Sequence, residues 1–270
     1  MHILMSINLR YVAPLKALIH SLYINNARCE ITVHLFHSEL TDGDIGALSG
    51  AAEKYGGTLI PYLVSDEHRK MSDKSKIFPP EIFYRLFAAE YLPDSVKRVL
   101  YLDGDIIING ALESLFNIDL SGGENRRRYM FAAATDPNNT TAEYVFRKQS
   151  LGLPLEVEYV NSGVLLMDLE LMRESGATAE IMKHIPFCGE HMVLPDQDLL
   201  NVFFHKDILH IDPYVYNYFP ASSRSRLGEF RPGYPAVIHY AGIKPWKAFY
   251  PSHNEYTQKA KALYDFYAAL

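Results

Sequence analysis

The run Val99-Leu100-Tyr101-Leu102-Asp103-Gly104-Asp105-Ile106-Ile107-Ile108 sets two carboxylates one glycine apart between two apolar stretches. Runs rich in Val, Ile, Leu and Tyr read as strands, so the acidic pair falls where a buried strand reaches the surface. Side chains at i and i+2 of an extended chain point to one side. Asp103 and Asp105 therefore converge on one cation, and Gly104 lets a ligand approach the backbone closely. A hard divalent ion held by two carboxylates keeps open positions that substrate phosphates fill. The competing reading is a hairpin, because Asp-Gly is the strongest short turn signal. The motifs elsewhere in the chain decide between them.

Upstream of this run, strand and helix patterns alternate. Strands are expected over 2–7, 31–36 and 58–64, the second alternating Ile31, Val33 and Leu35. Between them, Leu15, Leu18, Ile19, Leu22 and Tyr23 recur at helical spacing after Pro14. Thr41-Asp42-Gly43-Asp44 reads as a helix start and Gly56-Gly57 as its end. Residues 65–76 read as a loop. Pro79-Pro80 opens a helix carrying Ile82, Tyr84, Arg85, Leu86 and Ala89, which Pro93 closes. This alternation predicts an α/β fold with a doubly wound, Rossmann-like sheet. Ligands of such sheets bind beyond the carboxyl ends of the strands, which is where Ser6, Ile7 and Asn8, and then Asp103 and Asp105, fall. No GxGxxG follows the first strand, so a dinucleotide is not supported.

The second half is less regular. Strands are expected over 129–134, 164–167 and 237–240, and helices over 142–151, 169–185, 198–204 and 255–270. No linker, repeat or low-complexity tract interrupts the chain. It reads as one domain with two functional halves, over about 1–105 and about 106–270.

Bulk properties narrow the function. Of 270 residues, 48% are hydrophobic and 21% charged, an ordinary globular balance, and the net charge of -6 argues against nucleic acid as a partner. The basic run Arg126-Arg127-Arg128 follows a Ser-Gly-Gly loop and reads as a solvated loop. Two cysteines, Cys29 and Cys188, form no disulfide framework, which suggests a reducing compartment. Ile3-Leu4-Met5 is too short for a signal-peptide core. A cytoplasmic protein is expected. The sequence carries no signal for oligomeric state.

Three further segments look chemical. Asn161-Ser162-Gly163 places an amide, a hydroxyl and a glycine before a strand, where a simple turn is the other reading. Pro195-Asp196-Gln197-Asp198 reads as a helix start, and capping explains one of its aspartates but not both. In His239-Tyr240-Ala241-Gly242-Ile243-Lys244-Pro245-Trp246, a histidine ends an apolar run and a lysine follows in a loop. An imidazole suits a first-row metal, and an ammonium supplies a point charge for a diphosphate.

Taken together, these segments resemble glycosyltransferase family 8, which includes bacterial lipopolysaccharide galactosyl- and glucosyltransferases. The resemblance runs from the first strand to about Trp246. Phe83-Tyr84-Arg85-Leu86, Tyr101-Leu102-Asp103-Gly104-Asp105, Asn161 to Leu166, Asp196-Gln197-Asp198 and His239 to Trp246 stand in the family's order. It implies a GT-A fold with a mixed central sheet flanked by helices. It also implies a UDP-sugar donor, Mn²⁺ (Mg²⁺ the alternative), and transfer of a hexose, glucose or galactose, with retention of anomeric configuration to a glycan or glycolipid acceptor. By position, Asp103, Asp105 and His239 would ligate the metal. Ser6, Ile7, Asn8, Tyr11, Arg85, Leu102, Asp103, Gly104, Gly242 and Lys244 would hold the nucleotide. Asp136, Asn161 and Ser162 would surround the sugar, with Gln197, Asp196 and Asp198 at the reacting centre. A double displacement needs a nucleophile, for which Asp196 or Asp198 is better suited than neutral Gln197. Front-face attack, with Gln197 only positioning the sugar, is the route favoured.

One departure stands out. Members of the family carry acidic residues after the first strand, whereas this chain has Asn8-Leu9-Arg10-Tyr11. An amide cannot make the charge-assisted bond of a carboxylate, which is roughly twice as strong as a neutral one. The consequence is weaker UDP binding, a donor with an acidic group that meets Arg10, or a sugar-nucleotide binder with little turnover. A sugar nucleotidyltransferase is the remaining alternative, but it needs a Gly-rich basic loop that Leu9-Arg10 does not supply. For the carboxyl-terminal helix, a stripe of Tyr256, Ala260, Leu263, Tyr267 and Leu270 is expected to dock on the core. Peripheral membrane contact is the less favoured alternative, because the polar face has few cations.

Overall fold

The structure, a computed structural model, describes residues 1–72, 79–122, 128–185, 192–222, 230–251 and 254–270. Its strands are β1 (His2–Ser6), β2 (Thr32–His37), β3 (Thr58–Leu63), β4 (Arg98–Leu102), β5 (Ile106–Ile108), β6 (Phe131–Thr135), β7 (Val160–Asp168), β8 (Ile208–Ile211) and β9 (Val237–His239). Seven of them form a central sheet in the order β3-β2-β1-β4-β7-β6-β8, and β5 pairs with β9 in a second, two-stranded sheet. The sheet is mixed, as expected. β1 is parallel to β2 and β4, while β7 is antiparallel to both β4 and β6.

Alternation along the strands divides the core. Ile3, Met5, Leu100, Leu102, Val164 and Leu166 face one side, covered by helices Val12–Asn25 and Asp42–Glu53. Leu4, Val99, Tyr101, Leu165 and Met167 face the other, under residues 81–91 and helices Leu169–Ser175, Ala177–His184 and Pro195–Phe204. Every residue of β7 is buried, as a strand covered on both faces must be.

This topology builds the site. Strand order reverses between β1 and β4, and the crevice at such a switch point lies beyond their carboxyl ends. Ser6, Asn8 and Asp103 end there. Because β7 runs antiparallel to β4, with Leu102 opposite Val164, its first residues reach the same rim. The Asp103 N–H donates to the Gly163 carbonyl at 2.9 Å. β9 then sets His239 opposite Ile106, next to Asp105.

Several expectations need correction. Asn161-Ser162-Gly163 is not a turn before a strand but lies inside β7, between Val160, which pairs with Thr135 of β6, and Val164, which pairs with Leu102 of β4. The expected loop over 65–76 contains a helix, Asp66–Ser72, with Asp66 and Glu67 in its first turn and Arg69 and Lys70 in its last. Charges so placed complement the helix dipole; residues 73–76 lie outside the described residues. The helix expected over 169–185 breaks at Gly176, whose φ of 65° ends the first segment in the left-handed region. The helix after Pro80 is interrupted by a 3₁₀ turn over Arg85–Phe87. Strand β8 was not foreseen. Arg128 is not simply solvated: its guanidinium pairs with Asp168 at 2.7 Å, Glu170 at 3.0 Å and Glu174 at 3.1 Å. Arg126, Arg127 and Cys188 lie outside the described residues.

The carboxyl-terminal helix, Glu255–Ala268, docks on helix Val12–Asn25, but its buried stripe is Thr257, Ala260, Tyr264 and Tyr267. Tyr240 donates its hydroxyl to the Ala260 carbonyl at 2.6 Å, and Asn25 Nδ2 donates to the Tyr267 hydroxyl at 2.9 Å. Ala260 and Tyr267 stay in the buried face, Thr257 and Tyr264 take the places expected for Tyr256 and Leu263, and Leu270 is exposed. Among the described residues, no helix is long and apolar enough to cross a membrane.

Candidate active site

A cavity of about 880 Å³ opens at the carboxyl end of the sheet. Its walls include Ser6, Ile7, Asn8, Tyr11, Arg85, Asp103, Gly104, Asp105, Asp136, Asn161, Ser162, Asp196, Gln197, His239, Gly242 and Lys244. Two residues named from the sequence are placed elsewhere. Leu102 is fully buried, its side chain in the core under helix Val12–Asn25. Asp198 is 0% exposed and does not line the cavity. Its carboxylate accepts the Tyr159 hydroxyl and the Leu194 N–H, and pairs with Arg147 at 3.5 Å.

One wall is charged. Arg85 pairs with Asp103 at 2.9 Å and Asp196 at 3.4 Å, and its Nη1 donates to the Ser162 carbonyl at 2.8 Å. Lys244 Nζ caps Asp105 and donates to the Tyr240 carbonyl at 3.2 Å. His239 Nε2 lies 3.4 Å from Asp105 and 3.6 Å from Asp103. Burial alone would raise the Asp105 carboxyl, but the adjacent His239 and Lys244 outweigh it and hold it well below the usual carboxylate range. Burial also dominates at Asp196, pushing its carboxyl up despite the nearby Arg85. Both carboxylates of the Asp-Gly-Asp run thus face a cation, and the run is not a hairpin turn, because β5 pairs with β9 and not with β4.

Asp103, Asp105 and His239 each offer a ligand atom, and these atoms lie within 4.8 Å of one another. Two carboxylates and an imidazole suit a divalent first-row ion. The imidazole is oriented from behind, its Nδ1 2.8 Å from Asn217 Oδ1, an arrangement characteristic of ligating histidines. Gly163 makes room: a Cβ there would lie 2.3 Å from His239 Cε1 and 2.7 Å from Asp103 Oδ2. The residues present fit a divalent cation.

The opposite wall is built mainly of amides and hydroxyls, with the carboxyls of Asp136 and Asp196 among them. Asn161 Nδ2 donates to Gln197 Oε1 at 2.8 Å, and the Ser162 N–H donates to the same oxygen at 3.2 Å. Gln197 Nε2 is shielded from solvent and makes no hydrogen bond of standard geometry, with the Tyr144 hydroxyl nearby, a buried donor that a sugar oxygen could satisfy. Asp136 accepts from Tyr144 at 3.0 Å and from the Asn138 N–H at 2.8 Å. Asp196 Oδ2 accepts from Ser162 Oγ at 2.7 Å.

Sequence reasoning passed over several residues here. Tyr101 donates to Asp103 Oδ1 at 2.7 Å beneath the Arg85 guanidinium; the period-2 spacing of Tyr101, Asp103 and Asp105 was the available signal. Glu81 is buried in the wall, accepting from Ser38 at 2.9 Å, and its carbonyl accepts the Ser6 hydroxyl at 2.8 Å. Asn217 carried no sequence signal. Trp246, a candidate packing residue, meets the ring of Tyr11 edge-on at 5.6 Å.

The glycosyl transferase family 8 model matches residues 2–249. Lipopolysaccharide 1,3-galactosyltransferase of Salmonella typhimurium is 26% identical over 252 residues, which cover 90% of this chain and 72% of that protein. Lipopolysaccharide 1,2-glucosyltransferase of Escherichia coli is 28% identical over 243 residues, covering 84% and 68% respectively. The crystal structure of the galactosyltransferase LgtC with donor and acceptor sugar analogues superimposes with a TM-score of 0.79 at 22% identity, covering 100% of this chain and 95% of that one. The fold is accordingly GT-A, and the chain belongs to glycosyltransferase family 8.

Proposed function

We propose that this glycosyltransferase moves a hexose, glucose or galactose, from UDP to a glycan or lipopolysaccharide-type acceptor with retention of configuration and with a divalent ion, Mn²⁺ or Mg²⁺. The observation that carries this reading is the division of one cavity into a metal-fitting wall of carboxylates paired with Arg85 and Lys244 and a wall built mainly of amides and hydroxyls. The first suits a diphosphate and the second an uncharged sugar. Asp103, Asp105 and His239 would hold the ion, which when bound neutralises charge gathering on the departing diphosphate. Arg85 and Lys244 add fixed positive charge on the same side, where it acts most strongly as the bond breaks. Ser6, Ile7, Asn8, Tyr11, Gly104 and Gly242 would frame the nucleotide, and Asp136, Asn161 and Ser162 the sugar.

The chemistry proposed is front-face substitution. The acceptor oxygen bonds to the anomeric carbon as its bond to the phosphate oxygen breaks; the electron pair stays on that oxygen, which takes the acceptor's proton. Two features support this route over a double displacement. Asp198 is bound up behind the wall, and Gln197 Oε1 already accepts two hydrogen bonds. The anomeric centre becomes oxocarbenium-like, and Gln197 Nε2 positions the ring. Slow hydrolysis of UDP-α-galactose and UDP-α-glucose, followed by ¹H NMR, tests the reading. The α-hexose appearing first is expected; the β-anomer appearing first overturns it.

A second reading draws on Asn8, whose Oδ1 accepts the Arg10 N–H at 3.1 Å and so is spent on the local turn. It leaves uridine without a carboxylate partner from this loop, as a weakly active sugar-nucleotide binder would. UDP stabilising the protein against heat more than GDP or CDP, with Mn²⁺ present, is the expected result. Equal stabilisation by all three, with no release of UDP, would favour the binder. Action of the chain in the cytoplasm is part of this proposal.

A further inference from the structure

Along the cavity wall, four side chains form an unbroken line, of which Asn217 alone lies behind the lining. His239 Nδ1 meets Asn217 Oδ1 at 2.8 Å, Asn217 Nδ2 donates to Asn161 Oδ1 at 2.9 Å, and Asn161 Nδ2 donates to Gln197 Oε1 at 2.8 Å. All four residues are buried. Such amides can be reversed in principle, so their direction must be fixed by unambiguous donors. Two backbone N–H groups do this. Gly163 N–H donates to Asn161 Oδ1 at 2.9 Å, and Ser162 N–H donates to Gln197 Oε1 at 3.2 Å. With Asn161 Oδ1 fixed as an acceptor, Asn217 must turn Nδ2 toward it and Oδ1 toward the histidine. An amide oxygen only accepts, so His239 Nδ1 must carry a proton.

We propose that Asn217 is a positioning residue that fixes the polarity of this line at both ends. It holds His239 with a proton on Nδ1, which leaves Nε2 as the nitrogen facing Asp103 and Asp105. Through Asn161 it holds Gln197 with Nε2, a donor, at the sugar side. Gln197 then offers the sugar N–H groups rather than an oxygen nucleophile. Its consequence for transfer rests on the hexosyl-transfer reading above, whereas the histidine form does not.

The test is a long-range ¹H–¹⁵N correlation spectrum of the full-length, ¹⁵N-histidine-labelled protein without metal. It is read on the alkaline plateau where the ring is neutral, with His239 assigned by its absence in His239→Gln. A protonated Nδ1 and a bare Nε2 are expected. A bare Nδ1 with Nε2–H overturns the proposal, and that spectrum needs no variant to fold. In Asn217→Ala the preference should be lost and Mn²⁺ affinity should fall by roughly 10–100-fold, as for outer partners of ligating histidines. An unchanged spectrum in that variant overturns the role of Asn217. Asn217→Asp keeps the acceptor and removes the donor: it should restore Nδ1–H and Mn²⁺ binding yet release UDP from the sugar donor more slowly than wild type. Full-rate release by that variant would overturn the arm to Gln197. Should wild type show Nδ1–H but no donor support UDP release, the transferase reading fails and the histidine assignment stands.

Discussion

The two walls of the cavity solve different problems. On the β4 and β9 side every carboxylate faces a cation: Asp103 meets Arg85, Asp105 meets Lys244, and His239 lies between them. On the β7 side, Asn161, Gln197 and Asn217 carry no charge and bind through the direction of their amides. Charge can be neutralised by any well-placed counter-ion, so the first wall tolerates several partners for each group. Amide direction is all-or-none, so the second depends on each donor finding its acceptor. A diphosphate needs the first kind of wall and a polyhydroxy ring the second.

The junction between the walls is where the largest effect is expected. Gly163→Ala places a Cβ 2.3 Å from His239 Cε1, and something must shift. Displacement of about 1 Å at a site can cost ~10²-fold in rate, so UDP release should fall at least that far and Mn²⁺ binding, followed by electron paramagnetic resonance, should weaken with it. Unchanged Mn²⁺ affinity would mean that the histidine and aspartate are not held together as described. Next is Arg85→Ala, which strands Asp103 and Asp196. Breaking a buried pair costs about 3–5 kcal/mol, measurable by urea denaturation without metal. A change below about 1 kcal/mol, the range of exposed pairs, would show that the charged wall is not internally compensated.

Asp198→Asn sharpens the contrast between chemistry and scaffold. It weakens the bonds to Tyr159, Arg147 and the Leu194 N–H, and should cost about 1–3 kcal/mol of stability. UDP release per folded molecule should fall by less than about tenfold, a barrier change of ~1.4 kcal/mol. Abolished turnover with folding and UDP affinity intact would instead favour a double displacement. The smallest effect lies away from both walls, at His34 on β2. Burial pushes its pKa down to about 4, and its ring nitrogens meet His2 at 3.0 Å and Tyr62 at 3.1 Å. The unfolded chain takes up this proton near pH 6.5 and the folded one near pH 4, so stability falls as pH drops between those values. The contribution is about 1–3 kcal/mol. His34→Asn should flatten that part of the melting-temperature profile; an unchanged slope would assign it to other groups.

The parallel half of the fold was legible because its strands are short apolar runs flanked by helix signals. The expected 2–7, 31–36 and 58–64 became His2–Ser6, Thr32–His37 and Thr58–Leu63. β8 was not legible, since Ile208-Leu209-His210-Ile211 is only four residues long and buries only its two ends. Polar Asn161-Ser162-Gly163 concealed the start of β7, which lies between the pairing of Val160 with β6 and that of Val164 with β4. In the site, charged residues in short motifs could be found from spacing. Asn217 could not, because its place beside His239 follows from the approach of a distant loop to β9. The compression of Asp198 into the scaffold was equally hidden, since Asp196-Gln197-Asp198 gives all three residues a helix start but not the side each one faces.

The central claim is metal-dependent transfer from a UDP-sugar. The measurement that tests it most directly is UDP release from a panel of UDP-hexoses, with Mn²⁺ and again with EDTA. Release from UDP-glucose or UDP-galactose that EDTA abolishes is the predicted result. Release unaffected by EDTA, or none from any donor while UDP still binds, would contradict it.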